Sequence, residues 1–191
     1  MNDPLRLGWA LSGSFCCFER VLSQIERLVS QGMDITPILS FHAASLDTRF
    51  GTAASFRERL TGMTGHEPLL TLTDVEPIGP KGYFDLLVVA PCTGTTLGKL
   101  ANGISDTPVT LAVKSHLRRE KPVVLAVSTN DALGASFRNI ALLKNVKHLY
   151  LVPFRQDDPG KKPNSLVADF TRIGDTIKQA LQGRQIQPLL L

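Results

Sequence analysis

The order of apolar and polar positions predicts strands that alternate with helices. In 15–31, apolar side chains recur every three or four residues from Phe18 to Val29, and Gly32 follows as a helix stop. Similar patterns predict helices over 94–102, 107–119, 131–144 and 165–182. Apolar runs with the length of buried strands occupy 5–11, 34–40, 68–72, 84–90, 122–128 and 148–154. This alternation favours a parallel sheet that is covered by helices on both faces.

The right-handed crossover between parallel strands narrows the fold class further. We expect an α/β fold that is doubly wound, a Rossmann-like three-layer sandwich with a mainly parallel sheet of about six strands. The polar, Gly-rich interval 41–66 predicts a loop with a short helix near 52–61, and 155–164 predicts an exposed linker. No internal repeat or low-complexity tract is evident, so residues 1–191 are expected to form one domain.

Composition excludes several classes of function. Apolar residues make up 43% of the 191 residues and charged residues 20%, a balance typical of globular domains. The net charge of +4 comes from scattered basic residues, which argues against nucleic-acid binding and suits small anionic ligands. No leader pattern or apolar run near the ~20 residues of a membrane helix is present, and Cys16, Cys17 and Cys92 form neither a metal motif nor a disulfide framework. A cytoplasmic protein without a metal is expected.

Small hydroxyl and amide side chains gather where predicted strands end. In open parallel sheets, ligands bind outside the carboxyl ends of the strands. Each such group alone is a common helix cap, whereas four groups at one sheet edge favour a pocket, and helix N-termini there favour an anion. The residues concerned are Ser12, Gly13 and Ser14 after the first strand, Ser40 after the second, Thr93, Thr95 and Thr96 after the 84–90 run, and Ser128, Thr129 and Asn130 after the fifth.

The kind of anion is restricted by what the loops lack. A dinucleotide site needs Gly-x-Gly-x-x-Gly after the first strand and an acidic residue at the end of the second. Here Gly8 and Gly13 are the glycines of that region, the second strand ends in Ser40-Phe41-His42, and no Gly-Lys-Ser/Thr occurs. A phosphate attached to a flat ring, as in flavin mononucleotide (FMN), suits the hydroxyl-rich edge better than NAD or a nucleoside triphosphate.

The segment APCTGTTLGKLANGISD (90–106) resembles the Pro-Ala-Ser-Ala-Asn-Thr and Ala-Asn-Gly-Ile-x-Asp motifs of the flavoprotein superfamily. That superfamily includes flavin-dependent cysteine decarboxylases and flavin prenyltransferases. The segment SGSFCCFERVLSQIERLVSQG is similar to its first turn and helix, and 128–130 falls where it has Pro-x-Met-Asn. The resemblance spans nearly the whole chain and implies a bound FMN. It implies the phosphate near Gly13, Ser14 and Ser40, the ring beside Pro91, Cys92, Thr93 and Gly94, and a further wall from Asn102 to Asp106.

Three departures from the superfamily pattern concern the chemistry. The decarboxylases have a catalytic His before the strand that leads into Pro-Ala-Ser, whereas DVEPIGPKGYFD (74–85) contains none. Thr95 stands where many relatives have Asn, and both Met of Pro-x-Met-Asn-x-x-Met are replaced while Asn130 is kept. These changes argue against cysteine decarboxylation and leave the catalytic residues unknown.

Two site residues have a structural interpretation beside the functional one. Cys92 is either a small buried apolar side chain or, if it faces a flavin, a thiol of lowered pKa. Asp106 is either part of the flavin wall or the cap of the 107–119 helix, since Thr107-Pro108 follows it.

The strings GWALSGSFCCFE (8–19) and AVSTNDALGAS (126–136) resemble one branch in particular. In that branch the flavoprotein-like chain is the B subunit of a two-subunit oxidoreductase that forms a pyridine dicarboxylate in sporulating bacteria. The resemblance implies an NAD(P)-binding A subunit as partner, a dicarboxylate substrate, a homo-oligomer (trimer or dodecamer) and a mother-cell cytoplasmic location. Alternatives are a non-catalytic assembly subunit and a flavin-dependent decarboxylase of another small acid. Basic residues that could attract the substrate, among which the sequence does not choose, are Lys99, Lys114, Arg118 and Arg138.

Overall fold

A seven-stranded sheet forms the centre of the computed structural model, which describes residues 3–191. The strands are β1 (Arg6–Leu11), β2 (Asp34–Leu39), β3 (Leu86–Cys92), β4 (Val123–Thr129), β5 (Leu149–Leu151), β6 (Phe154–Asp158) and β7 (Lys162–Ala168). The helices are α1 (Phe18–Ser30), α2 (Phe41–Ser45), α3 (Ala53–Thr64), α4 (Leu72–Val75), α5 (Ile78–Lys81), α6 (Gly94–Ala101), α7 (Pro108–Leu117), α8 (Phe137–Lys144) and α9 (Ile173–Leu181). Short 3-10 turns span Phe15–Cys17 and Phe170–Arg172.

Strand β4 is the branch point of the sheet. The order is β2-β1-β3-β4-β7-β6, and β5 also pairs with β4. The pairs that join β1 to β2, β1 to β3, β3 to β4 and β4 to β5 are all parallel. Only Ser128 and Thr129 at the end of β4 pair with β7, and that pairing is antiparallel. The α/β Rossmann-like fold predicted from the sequence is confirmed, with seven strands in place of six.

The C-terminal third contains the largest corrections. Residues 155–164, predicted to be a linker, belong to the antiparallel hairpin of β6 and β7, and the first part of the predicted 165–182 helix is β7. Helix α9 begins only at Ile173. The charged residues of 155–162 face solvent on this hairpin, so that the local apolar pattern resembles a loop. Its strands are defined by pairing with each other and with β4, which no local pattern reveals.

Smaller corrections affect the middle of the chain. The weak apolar run 68–72 is not a strand and makes a single β-bridge, between Leu69 and Ile38. Helix α4 follows it, and Thr71 and Asp74 form a capping box at the start of that helix. The 131–144 helix begins six residues later than predicted, at Phe137. The loop 41–66 holds two helices, α2 and α3, instead of one.

The core lies on both sides of β1 and β3. Trp9 of β1 is fully buried, and its indole N–H donates to the carbonyl of Ala90 at 3.1 Å. Helix α1 buries the apolar face that the sequence predicts, including Phe18, Val21 and Ile25. In the part of the chain that the structure describes, no helix is long and apolar enough to cross a membrane.

His116 of α7 is a titratable side chain inside this core. It is 1% exposed, and its Nε2 has no hydrogen-bond partner within residues 3–191. Burial, and to a lesser extent the nearby charges of Lys121 and Arg119, lowers the pKa of His116 from 6.5 to about 4. The imidazole is therefore neutral in the folded protein across the physiological range.

We expect this histidine to make the protein less stable in mild acid. Between about pH 6.5 and about pH 4 the unfolded chain binds a proton at His116 that the folded chain does not, so the free energy of unfolding falls as the pH drops through that window. The loss attributable to His116 reaches about 3 kcal/mol at the acid end. Urea unfolding of the wild type and of His116→Gln, at several pH values, should show a shallower slope in the variant. His42→Gln, at an exposed position, serves as the control, and an unchanged slope in His116→Gln would contradict the assignment.

Candidate functional site

Two adjacent clefts open at the carboxyl ends of the parallel strands. Cleft A has a volume of about 440 Å³ and lies toward β4 and the β6–β7 hairpin. Cleft B has a volume of about 450 Å³ and lies toward α2 and the start of α7. Of the residues predicted from the sequence, cleft A is lined by Ser14, Gly94, Ser128, Thr129 and Asn130, cleft B by Ser12, Ser40, Thr96 and Asp106, and both by Gly13, Thr93 and Thr95.

Pro91 and Cys92 line neither cleft. Both are buried within the last residues of β3, and Cys92 is 0% exposed. Burial raises the pKa of the Cys92 thiol well above its ordinary value. Of its two interpretations, the environment of Cys92 matches the small buried apolar side chain.

Ser12 ties the end of β1 to the end of β3. Its hydroxyl donates to the carbonyl of Pro91 at 2.7 Å and accepts the backbone N–H of Thr93 at 3.0 Å. The backbone N–H of Ser12 also reaches the Pro91 carbonyl, at 3.2 Å. Because Ser12 is only 2% exposed and its polar atoms are already bonded, it fixes the position of the loop between the clefts and has little left to offer a ligand.

The N-terminus of α6 lies on the ridge between the two clefts. Thr93 is its N-cap, and the Thr93 hydroxyl accepts the N–H of Thr96 at 3.3 Å. The backbone N–H groups of Gly94 and Thr95 have no acceptor within residues 3–191. These are the unsatisfied donors that a helix start presents to an anion or a carbonyl oxygen.

Gly94 packs closely against the end of β4 and the segment that follows it. A Cβ at this position would lie 2.6 Å from Thr129 Oγ1, 2.8 Å from Asp131 Oδ1 and 2.9 Å from Ser136 Oγ. The hydroxyls of Thr129 and Ser136 both donate to the Asp131 carboxylate. These hydrogen bonds, above all that of Thr129, lower the pKa of Asp131, which therefore carries its charge in the wall of cleft A.

The opposite wall of cleft A joins the first turn to β4. Ser14 Oγ lies 3.0 Å from Ser128 Oγ, and Cys17 Sγ lies 3.1 Å from the same hydroxyl. Arg20 donates to Cys17 Sγ at 3.3 Å. A 3-10 turn separates Ser14 from α1, so the helix begins later than the sequence predicted.

Cleft B is bounded by capped helix starts and one ion pair. Ser40 caps α2 by accepting the N–H of Ala43 at 3.2 Å. Asp106 pairs with Lys99 Nζ at 2.8 Å, and this bond lowers the pKa of Asp106. Asp106 is not the cap of α7: that role belongs to Thr107, with Pro108 in the first helical position.

Sequence reasoning missed several residues of cleft A, among them Arg20, Asp131, Lys162 and Ser165. Arg20 follows Cys17 by three residues, and this spacing places it on the same side of the first helical turn, a signal that the sequence does contain. Lys162 and Ser165 belong to the β6–β7 hairpin, for which local sequence gives no signal. None of Lys99, Lys114, Arg118 and Arg138 lines cleft A.

Comparison with known proteins gives three informative matches. The family model described as Flavoprotein matches residues 1–181. The B subunit of dipicolinate synthase from Bacillus subtilis is 44% identical over 186 residues, which cover 97% of this chain and 93% of that protein. The crystal structure of the corresponding dipicolinate synthase chain from Bacillus halodurans is 41% identical with a TM-score of 0.91, covering 100% of this chain and 98% of that one.

A more distant solved structure shares the fold alone. Burkholderia xenovorans DmrB in complex with FMN, described as a cubic protein cage for redox transfer, has a TM-score of 0.71 at 17% identity, covering 95% of this chain and 98% of that one.

Removal of the Ser12 hydroxyl should weaken the junction of β1 and β3. In Ser12→Ala the half-buried N–H of Thr93 and the carbonyl of Pro91 lose the bonds that the buried hydroxyl makes with them, so we expect the free energy of unfolding to fall by about 1–3 kcal/mol. Ser30→Ala is the matched control, because Ser30 Oγ also donates to a backbone carbonyl, at 2.7 Å from Arg27 O, but on the surface. Urea unfolding measures both, and equal losses in the two variants would contradict a specific role for Ser12.

Proposed function

This chain belongs to the Flavoprotein family, and from that membership we propose that it is the B subunit of a dipicolinate synthase. In this role it binds FMN and acts with an NAD(P)-binding A subunit to form dipicolinic acid from a dihydrodipicolinate-pathway intermediate during sporulation. The observation that carries the proposal is the 44% identity to a protein of that name over 97% of the chain.

FMN is proposed to lie across the ridge between the clefts. The free N–H groups of Gly94 and Thr95 and the open backbone at Gly13 suit a ligand with several acceptors, since a Cβ at Gly13 would meet its nearest neighbour only at 3.7 Å. The phosphate is proposed at Gly13 and Ser40, and the ring beside Gly94. Ser14 lies on the cleft A side of Gly13, whereas Ser40 lies on the cleft B side, so Ser40 is the better partner for a phosphate in cleft B.

The residues around the ring position have distinct tasks in this proposal. A bound flavin supplies two-electron redox chemistry. Gly94 lines cleft A beside the proposed ring position, and Ser128 and Asn130 offer hydrogen-bonding groups at the edge of the ring. Asp131 keeps a negative charge nearby, because two hydroxyls stabilise its carboxylate.

We also propose that the chain acts as one domain within a homo-oligomer. One continuous cluster of buried residues extends from Leu7 to Ala180, which supports a single domain. Phe41, which lines cleft B, and Leu46 and Phe50, which follow along the chain, are each more than 40% exposed, which suits coverage by a second copy of the chain. A trimer or dodecamer is proposed by analogy with the superfamily.

A non-catalytic assembly subunit is the second candidate. It is favoured by the absence of His from 74–85, the region in which the decarboxylases carry a catalytic one. The free α6 N–H groups on the ridge favour a ligand-binding chain instead.

A steady-state assay with the A subunit separates these candidates. Dipicolinate formation is measured with A alone, with this chain alone and with the mixture, each with and without added FMN. The proposal expects a rate only in the mixture, increased by FMN. If A alone gives the same rate as the mixture, the partnership is overturned. If a mixture prepared without flavin gives the same rate with and without added FMN, the assembly role is favoured.

The position of the phosphate is tested by placing a negative charge next to it. Ser40→Glu should weaken FMN binding at least about 10-fold through repulsion of the phosphate, and should weaken riboflavin binding much less. Ser14→Glu should have the smaller effect on FMN if the phosphate lies in cleft B, and the larger one if it lies beside Ser14. Ser45→Glu, exposed on the same helix as the Ser40 cap, is the control. Flavin fluorescence titration measures all affinities, and unchanged FMN affinity in both site variants would contradict the proposed position.

A further inference from the structure

We propose that Arg20 binds a carboxylate of the substrate in cleft A. This inference rests on the proposed function for the identity of the substrate, a small dicarboxylate. It rests on the structure for the choice of residue, which the sequence left open among other basic side chains.

Arg20 is held in place by two contacts that leave most of its donors free. It lies in the first turn of α1, and one of its terminal nitrogens donates to Cys17 Sγ at 3.3 Å. Its guanidinium carbon lies 5.1 Å from the centre of the Phe170 ring. A guanidinium has five N–H donors in a rigid plane, and the hydrogen bond to sulfur uses one of them. The remaining donors form the fork that recognises a carboxylate through two parallel hydrogen bonds.

The charges of cleft A single out Arg20. The other cation in its lining, Lys162, is paired with Asp157 at 2.8 Å. The charge of Asp131 is stabilised by the hydroxyls of Thr129 and Ser136. Arg20 has no carboxylate within ion-pair distance in residues 3–191. It is therefore the cation of this cleft whose charge the protein leaves uncompensated.

The rest of the lining suits a flat polar molecule next to Arg20. Beyond Ser128 and Asn130, which are proposed at the edge of the flavin ring, Ser165 contributes a hydroxyl that both donates and accepts hydrogen bonds. The carboxylate of Asp131, which has no cation within ion-pair distance in residues 3–191, disfavours an anion on its side of the cleft. A substrate carboxylate therefore binds on the α1 side of the cleft, at Arg20, and the edge of the substrate ring faces β4.

Direct binding tests this assignment without turnover. The FMN-loaded chain is titrated with dipicolinate, which has two carboxylates, and with picolinate, which has one, by isothermal titration calorimetry. Arg20→Gln should weaken dipicolinate binding about 30-fold, and Arg20→Lys, which keeps the charge but not the fork, should lie between that variant and the wild type. The preference of the wild type for dipicolinate over picolinate should shrink in Arg20→Gln.

Arg27→Gln is the matched control. Arg27 lies on the same helix two turns further on, donates to the carbonyl of Thr171 and does not line cleft A. Its replacement should leave dipicolinate affinity unchanged. Equal affinities in the wild type and Arg20→Gln, equal losses in Arg20→Gln and Arg27→Gln, or no dipicolinate binding by the wild type would each overturn the assignment. FMN affinity and thermal unfolding of every variant are measured alongside, and Arg20→Gln is expected to match the wild type in both.

Kinetics with the A subunit distinguish this inference from the proposed function. Arg20→Gln should raise KM for the substrate by a similar factor while kcat changes less. If the mixture forms dipicolinate and Arg20→Gln has an unchanged KM, the role of Arg20 is refuted and the proposed function stands. If the mixture forms none, yet dipicolinate binds in a manner that depends on Arg20, the proposed reaction falls and the carboxylate site stands.

Discussion

The hydrogen bonds of Ser12 with Pro91 and Thr93 are the constraint on which the candidate site depends. Strands β1 and β3 run side by side, and their last residues leave the sheet toward different helices. The Ser12 hydroxyl lies 2.7 Å from the Pro91 carbonyl and 3.0 Å from the Thr93 nitrogen, and so fixes the loop before α1 relative to the start of α6. Every residue that lines both clefts lies in one of the two segments that follow β1 and β3. The site is thus built from backbone positions that one buried hydroxyl holds in register.

The two clefts differ in what their walls can recognise. Around the ridge, the groups left free are mainly backbone N–H donors at the start of α6, which recognise acceptor atoms of any ligand with the right shape. In cleft A the free groups are side chains, above all the guanidinium of Arg20. The ridge therefore offers a ligand backbone groups, whereas cleft A offers the positive charge of one side chain of α1.

The sequence predicts the parallel part of this structure well, because the strands and helices of that part each have a local pattern of apolar residues. The apolar runs of β1 to β4 and the face of α1 follow simple periodicity, and 12 of the 14 proposed site residues line a cleft because strand ends meet at one edge. Pro91 and Cys92 are buried because they still belong to β3, which extends two residues beyond the predicted run. The local pattern does not reveal the hairpin, since β6 is defined by pairing with β7 and β7 by pairing with β4, and both carry exposed charged residues such as Arg155 and Lys162. Lys162 and Ser165 were therefore not recognised as cleft residues.

The branching of β4 has a consequence for how such a protein can change over time. The hairpin is attached to the parallel sheet through two residue pairs, Ser128 with Val167 and Thr129 with Leu166. An insertion, a deletion or a new set of side chains between Phe154 and Ser165 can therefore reshape one wall of cleft A while β1, β3 and the α6 N-terminus keep their geometry. The wall that would meet a new molecule can be exchanged, and the ridge beside it stays as it is. A fold built in this way can acquire new substrates by replacing a single hairpin.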